Sequence, residues 1–176
     1  MTTPTGQISL SDVRLEIYGS ATGSIDMNDP NVYTLAGVAS GSAISMSQLK
    51  GKTWNPVSLN GGSFLASGTT SSSCAYIVGS NGFEKRIING VTSNVHQWLA
   101  SGTAGSYQVM ATKTSGSTPT GNALGVWITL SSDVEWQVNQ TGTGETTCTL
   151  SVQIRAVGGS TILASASVTL DAANGV

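Results

Sequence analysis

From residue 54 onward, apolar side chains recur at every second position, and small-residue turn signals break the pattern at short, regular intervals. In "SVQIRAV" (151–157) and "SASVTL" (165–170) the alternation is clean. A period of two sends successive side chains to opposite faces of a strand, so each stretch has one buried face and one wet face. The breaks "NGG", "SNG", "SGTAGS", "TSGSTPTGN", "QTGTGE" and "VGGST" are sound turn chemistry. Strands are predicted at 55–60, 63–67, 72–79, 82–88, 95–100, 105–113, 125–131, 134–140, 145–157 and 161–170. Nothing in this half reads as a helix. Strands at this spacing over about 120 residues predict an antiparallel β-sandwich of immunoglobulin-like type. Trp98, Trp127, Trp136, Tyr76 and Tyr107 are its natural core anchors.

Residues 1–53 follow a different grammar, in which one phrase occurs three times: "GQISLSDVR" (6–14), "GSIDMNDPNV" (23–32) and "SGSAISMSQLKGK" (40–52). Each copy has a glycine shortly before an apolar-polar-apolar trio, Ile8-Ser9-Leu10, Ile25-Asp26-Met27 or Ile44-Ser45-Met46. The trio predicts a strand stub with both apolar residues on one side. Ser11, Asn28 and Ser47 follow as predicted N-caps, able to accept from the first free N–H groups of a helix. Asp12 and Asp29 suit the positive end of the helix dipole, and Pro30 suits a first turn. Short helices are predicted at about 11–18, 28–36 and 47–50, stopped by Gly19, Gly37 and Gly51. In the middle helix Val32, Leu35 and Ala36 share a face. Helices this short are marginal alone in water. Ile8, Leu10, Ile25, Met27, Leu35, Ile44, Met46 and Leu49 make a small core, which identifies them as candidate docking residues. Two readings stand: a docking module that completes its core on a partner, or a small lobe packed on the rest of its own chain. The predicted organisation is thus a small α/β docking module over 1–53 and a sandwich over 54–176, mainly β as a whole.

Composition narrows the function. Charged residues make up 9% of the 176, against about 25% in ordinary globular domains, while 39% are apolar. That is not the highly charged, weakly apolar profile of disorder. Faces covered by Ser and Thr suit packing against other protein. The net charge is −2 and the seven Lys and Arg are scattered, so no basic stripe exists to release counterions from phosphates, and no nucleic acid is expected. No apolar run approaches the length that crosses a bilayer, so no membrane insertion is expected. The start, "MTTPTGQISL", lacks the basic and apolar regions of a secretory signal, which predicts folding in a cytoplasm. Cys74 and Cys148 each sit in a predicted strand; an inter-sheet bridge is conceivable, and two small buried thiols are the reading that suits a reducing compartment.

No constellation nominates an enzyme. The one histidine, His96, stands beside Trp98, and two distant cysteines cannot complete a zinc set with it. No nucleophile elbow, phosphate loop or dinucleotide fingerprint is present, and no cofactor is implied. Glu84, Asp133, Glu135, Glu145 and Asp171 show no spacing that nominates a glycosidase pair. Asp133 and Glu135 share a parity at a strand start and read as a solvated face. "NQT" (139–141) has the form of a glycosylation acceptor, without meaning in a cytoplasmic product.

The N-terminal phrase resembles a module of virion structural proteins in tailed bacteriophages. There a string of the type I-S-[LM]-S-D-[VL]-R recurs and ends in LAG-x-x-S-G-x-I-S-M-S-[DQ]-[LF]-x-G-K. The matching positions are Ile8–Arg14, Leu35-Ala36-Gly37 and Ser40–Lys52. Gln48 stands where such proteins often have Asp, which is expected to weaken one capping interaction. Residues 96–138 and "ILASASVTL" (162–170) are similar to a phage sandwich module. The resemblance implies a structural component of the particle, in the tail, tail tip, fibre or collar, assembled in the host cytoplasm. It implies other virion proteins and further copies of the chain as partners. A capsid decoration or cement protein and a receptor- or glycan-binding adhesin module, with a host-surface receptor as its partner, are the alternatives. A glycan depolymerase stands well behind them.

Overall fold

The computed structural model describes residues 2–18, 20–39, 41–52, 54, 57–100 and 103–175, without the side chains of Pro30 and Thr34. The chain divides into two compact units, Met1–Pro56 and Val57–Val176.

The first unit holds three short helices, α1 (Leu10–Tyr18), α2 (Pro30–Ala36) and α3 (Met46–Leu49). The predicted strand stubs are absent among the described residues. The serine at the centre of a trio caps the helix itself and draws the third residue into the first turn. In α1 the Ser9 N–H donates to Asp12 Oδ2 at 2.8 Å, and the Asp12 N–H returns to Ser9 Oγ at 3.3 Å. In α3 the Ser45 N–H donates to Gln48 Oε1 at 2.7 Å. The caps are therefore Ser9 and Ser45, not Ser11 and Ser47, and Gln48 makes the very interaction it was expected to weaken. The Ser9 hydrogen bonds hold the Asp12 carboxyl below its usual range.

The second copy has carboxylates at both positions of this box, Asp26 and Asp29. A capping box asks only for an acceptor on each side chain, so two carboxylates are compatible with it; here they take other N–H groups. Asp26 Oδ1 instead accepts from the Asn28 N–H at 2.9 Å, and Asp29 Oδ1 from the Asn31 N–H at 2.8 Å. The helix then starts a turn late, capped by Asp29 and not by the predicted Asn28. It ends at Gly37, whose φ of +75° needs no Cβ, and the Val38 N–H reaches back to Tyr33 O at 3.1 Å. The predicted stop at Gly19 lies outside the described residues. Val13, Ile17, Val32, Leu35, Ala36 and Leu49 form the buried core. The N-terminal segment closes the unit: the Thr3 N–H donates to Lys52 O at 2.8 Å.

The second unit is two five-stranded sheets packed face to face. One has the order β1-β10-β9-β5-β7, from strands Gly62–Gly68, Ile162–Asn174, Gly144–Ala156, Tyr107–Gly116 and Ile128–Thr129. The other is β4-β3-β2-β8-β6, from Val91–Gln97, Phe83–Ile88, Ser71–Val78, Val134–Thr141 and Thr120–Gly121. Pairing is antiparallel except between β1 and β10, which run parallel with Gly62 opposite Val168 and Gly68 opposite Asn174. The alternation read from sequence is the alternation that is buried: Cys148, Leu150, Val152 and Ile154 face in along β9, and Val168, Leu170 and Ala172 along β10. Phe64 stacks on Tyr76 across the two sheets, with ring centroids 6.0 Å apart. Both cysteines are buried free thiols.

Several predicted elements are corrected. Of 55–60, Asn55 and Pro56 lie outside the described residues; Val57 makes a lone bridge to Leu99, and 58–60 form no strand. Their N–H groups are spent elsewhere, that of Ser58 on Trp98 O and that of Asn60 on Glu84. The strand expected at 95–100 starts at Val91, because Asn89 (φ +48°) and Gly90 (φ +83°) form the tight hairpin turn that joins it to β3. The expected strand 125–131 shrinks to Ile128–Thr129, and a single 3₁₀ turn, Ala104–Ser106, precedes β5. Trp98, Trp136 and Tyr76 are fully buried, and Tyr107 meets Trp98 edge-on. Trp127 is not a core residue. It is half-buried on the outward side of the sheet, under the Arg155 guanidinium 4.1 Å from its ring centre.

These placements separate two tryptophans that look alike in the sequence. Trp98 fills the core and donates from Nε1 to Gly79 O at 2.8 Å. Trp98→Ala is expected to cost about 3–5 kcal/mol in denaturant unfolding of the full chain. Trp127→Ala is expected to cost about 1 kcal/mol or less, because only an outward cation–π contact is lost.

Candidate functional site

The eight candidate docking residues come from three equivalent turns of the first unit. Leu35 and Leu49 are inside its core. Ile8, Ile25, Met27, Ile44 and Met46 are half-buried and pack around that core, together with Val38 and Trp54. Leu10 is 38% exposed, and Tyr18 at the other end of the same helix is 45% exposed. Each copy thus contributes an apolar pair that covers the core from outside without being covered itself, apart from Leu10, which turns to solvent. Val13 and Ile17, buried on α1, are not among the eight; their i, i+4 spacing within the predicted helix is the signal that could have found them.

The helices are fastened to one another by side chains that the repeat does not share. Tyr18 OH donates to Asp29 Oδ2 at 2.5 Å, which joins α1 to the cap of α2. This carboxylate raises the Tyr18 pKa above the usual phenol range. Arg14 lies over the Tyr18 ring and donates from Nη1 to Ser20 O at 2.7 Å, folding the following loop against α1. Glu16 Oε1 accepts from the Trp54 N–H at 2.6 Å.

In the second unit the groups that resemble chemistry gather around Glu84. Its side chain is fully buried, in register with the inward-facing Val78 of β2. Tyr76 OH donates to Oε1, the Gly61 N–H to Oε1 at 3.1 Å and the Asn60 N–H to Oε2 at 2.8 Å. His96 Nε2 stands 3.9 Å from Oε2 and 2.9 Å from Ser58 Oγ. Serine, histidine and carboxylate are therefore neighbours, but serine and carboxylate approach the same ring nitrogen. In a charge-relay arrangement the acid holds the other nitrogen and orients the ring for the hydroxyl. Here the group works as a clamp that fixes residues 58–61 to β3 and β4.

Asp133 is likewise a fastener. Burial alone would raise its pKa, but Lys85 Nζ at 2.7 Å and two donors of Ser80 hold it below the usual range. Two shallow clefts of about 430 and 420 Å³ are lined by neutral groups, the first by Ser71, Ser73, Asn89 and Asn139 among others, the second by Asn81 and Gln97 among others. Among the described residues no group of three or more His, Cys, Asp or Glu could hold a metal ion, and no helix is long and apolar enough to cross a membrane. Comparison with known proteins finds no match, whether to a protein family, a curated protein or a solved structure.

The clamp gives a pH dependence with a definite sign. Burial first, then the adjacent Glu84 carboxylate, pushes the Tyr76 phenol well above its usual range. A raised folded-state pKa means that the protonated phenol is favoured by folding. Its contribution is complete below about pH 10 and is lost as pH climbs through the unfolded pKa toward the folded one. Thermal melts of the full chain from about pH 8 to pH 11 should show falling stability of the sandwich. Tyr76→Phe should flatten that fall; Tyr107 and the two thiols, also raised by burial, leave a residual slope. Glu84→Ala strands three donors and should cost about 3–5 kcal/mol, and Glu84→Gln less, since one acceptor oxygen remains.

Proposed function

We propose that the protein is a structural component of a tailed-bacteriophage particle, docked through residues 1–53 and exposing the sandwich as an immunoglobulin-like domain. The observation that carries this reading is the repeat itself: three capped turns, each of which sets an apolar residue or pair half-exposed around one small core. Half-exposed apolar residues gathered around one small core are suited to being covered by another protein surface. The N-terminal phrase resembles phage virion modules at the same residues, which gives the docking reading its biological setting.

The strand order supports the immunoglobulin-like part. β10-β9-β5 in one sheet and β2-β8 in the other follow the G-F-C and B-E pairings of that sandwich. The β3–β4 hairpin takes the edge beside β2, and β1 joins the other sheet in parallel to β10. In this reading the neutral surface serves contact with protein, and Glu84 with its neighbours serves stability, not catalysis.

The test is incorporation. A chain lacking residues 1–53 should keep a folded sandwich by circular dichroism and fail to enter particles when supplied during infection. Incorporation of the truncated chain at the level of the full one overturns the docking role. Imaging of labelled particles gives the copy number: a handful fits a tail or collar position, and hundreds would move the assignment to capsid decoration.

A further inference from the structure

The outward face of the β1-β10-β9-β5-β7 sheet carries charges that meet no opposite charge among the described residues. Along β9 the residues opposite in parity to the buried row are Glu145, Thr147, Thr149, Ser151, Gln153 and Arg155. Beside them on β10 lie Ser165, Ser167, Thr169 and Asp171, in register with Gln153, Ser151, Thr149 and Thr147. The middle of the face is small and neutral. One end is acidic: Glu145 and Asp171 neighbour each other, and burial together with Glu145 raises the Asp171 pKa. Asp171 Oδ1 is buried without a hydrogen-bond partner among the described residues. The other end is basic and aromatic: Arg155 donates from Nε to Gln108 Oε1 at 3.1 Å and covers Trp127, with Ile162 beside it.

Among the described residues Arg155 has no carboxylate within ion-pair distance, and neither does Glu145 or Asp171 have a cation. Lys113, the remaining charge on these strands, stands opposite the inward-facing Leu150 and is turned to Gly116 O and Thr118 Oγ1. Along β9, Arg155 and Thr147, which is in register with Asp171, lie eight residues apart, roughly 26 Å at strand rise. Their midpoint is Ser151, whose neighbour on β10 is Ser167.

We infer that this face binds the same face of a second copy, about a twofold axis that crosses the strands at Ser151 and Ser167. Such an axis reverses the strands and lays β9 over β9, so the Arg155 end of each copy meets the Glu145–Asp171 end of the other. An interface of this kind is self-complementary, and each charge pair is made twice. The small hydroxyls at the centre let the two sheets approach at the usual face-to-face spacing. β9 and β10 over the length from Glu145 to Arg155, with β5 and β1 each beside part of it, offer roughly 500 Å² per copy, about 1,000 Å² in all, at the lower bound of specific interfaces. The inference concerns the second unit and does not rest on the virion reading.

Sedimentation of the full-length chain over a concentration series tests it, with circular dichroism as the check on folding. The wild type should dimerise. Arg155→Glu alone, and Glu145→Lys with Asp171→Lys, should each weaken association about tenfold or more. Mixing these two variants should restore a dimer, because every contact in the mixed pair again joins opposite charges. Should Arg155→Glu fail to fold, Ser151→Arg gives the second readout, since it sets like charges against each other at the axis. A wild type that stays monomeric at its highest soluble concentration overturns the inference. So does a dimer indifferent to these substitutions, or a mixture of folded variants that remains monomeric.

Discussion

The fold of the sandwich hangs on one buried carboxylate. An ionised group with no exposure is tolerated in a protein interior only when its oxygens are met by donors. Glu84 has three, from Tyr76 on β2 and from the N–H groups of Asn60 and Gly61. These tie the segment leading into β1 to the opposite sheet, and the Ser58 N–H adds a bond to Trp98 O. The anchor fixes where β1 begins and from which end it sets out. From there β1 runs beside β10 in the same direction, and this parallel pair closes the edge of a sandwich that is otherwise antiparallel.

Much of this was legible in the residues, because strand alternation is a local signal. The buried rows of β9 and β10 are the apolar rows of the sequence, and the two-sheet class follows from them. What was not legible depends on partners distant in the chain. Glu84 and its donors lie up to 24 residues apart, so no spacing announced the clamp. Trp127 carries the same composition signal as Trp98, but two residues of pairing with β5 set it on the outward side. The hairpin at Asn89-Gly90 was locally readable, since that pair favours the two positive φ angles a tight turn needs; a strand read from 95 passes over it.

The threefold phrase shows a subtler limit. Its chemistry was readable, a small polar residue followed three positions later by a side-chain acceptor, yet the phase was off at every copy. Reading the trio as a strand displaced the caps to Ser11, Asn28 and Ser47. The difference lies in competition for the same N–H groups: a serine at the centre of the trio offers a cap at once, and a helix started there outcompetes one further residue of extended chain. The middle copy departs from this pattern. There Asp26 takes the Asn28 N–H, and the helix starts at Pro30 with Asp29 as its cap. A repeat can therefore keep its apolar positions while varying its helix starts. The conserved element is the apolar placement around the core, which is what a shared packing role requires.

A chain with so few charges makes the position of each one informative. Lys85 and Asp133 face each other, Glu84 is buried among donors, and Asp12 closes a helix cap. Each is consumed by the fold. Elsewhere the surface is mostly hydroxyl and amide, groups that lose less on leaving water than an ion does and can trade water for a protein partner. A soluble domain that works alone commonly spreads charge over its surface to stay apart from its neighbours. Here that repulsion is given up in the middle of the outer sheet face, whose charges stand at its two ends, and among the apolar residues around the small helical core. On the proposed reading both surfaces are contact surfaces, and low charge lowers the desolvation cost at each. On that reading the low charge of the chain suits association with protein.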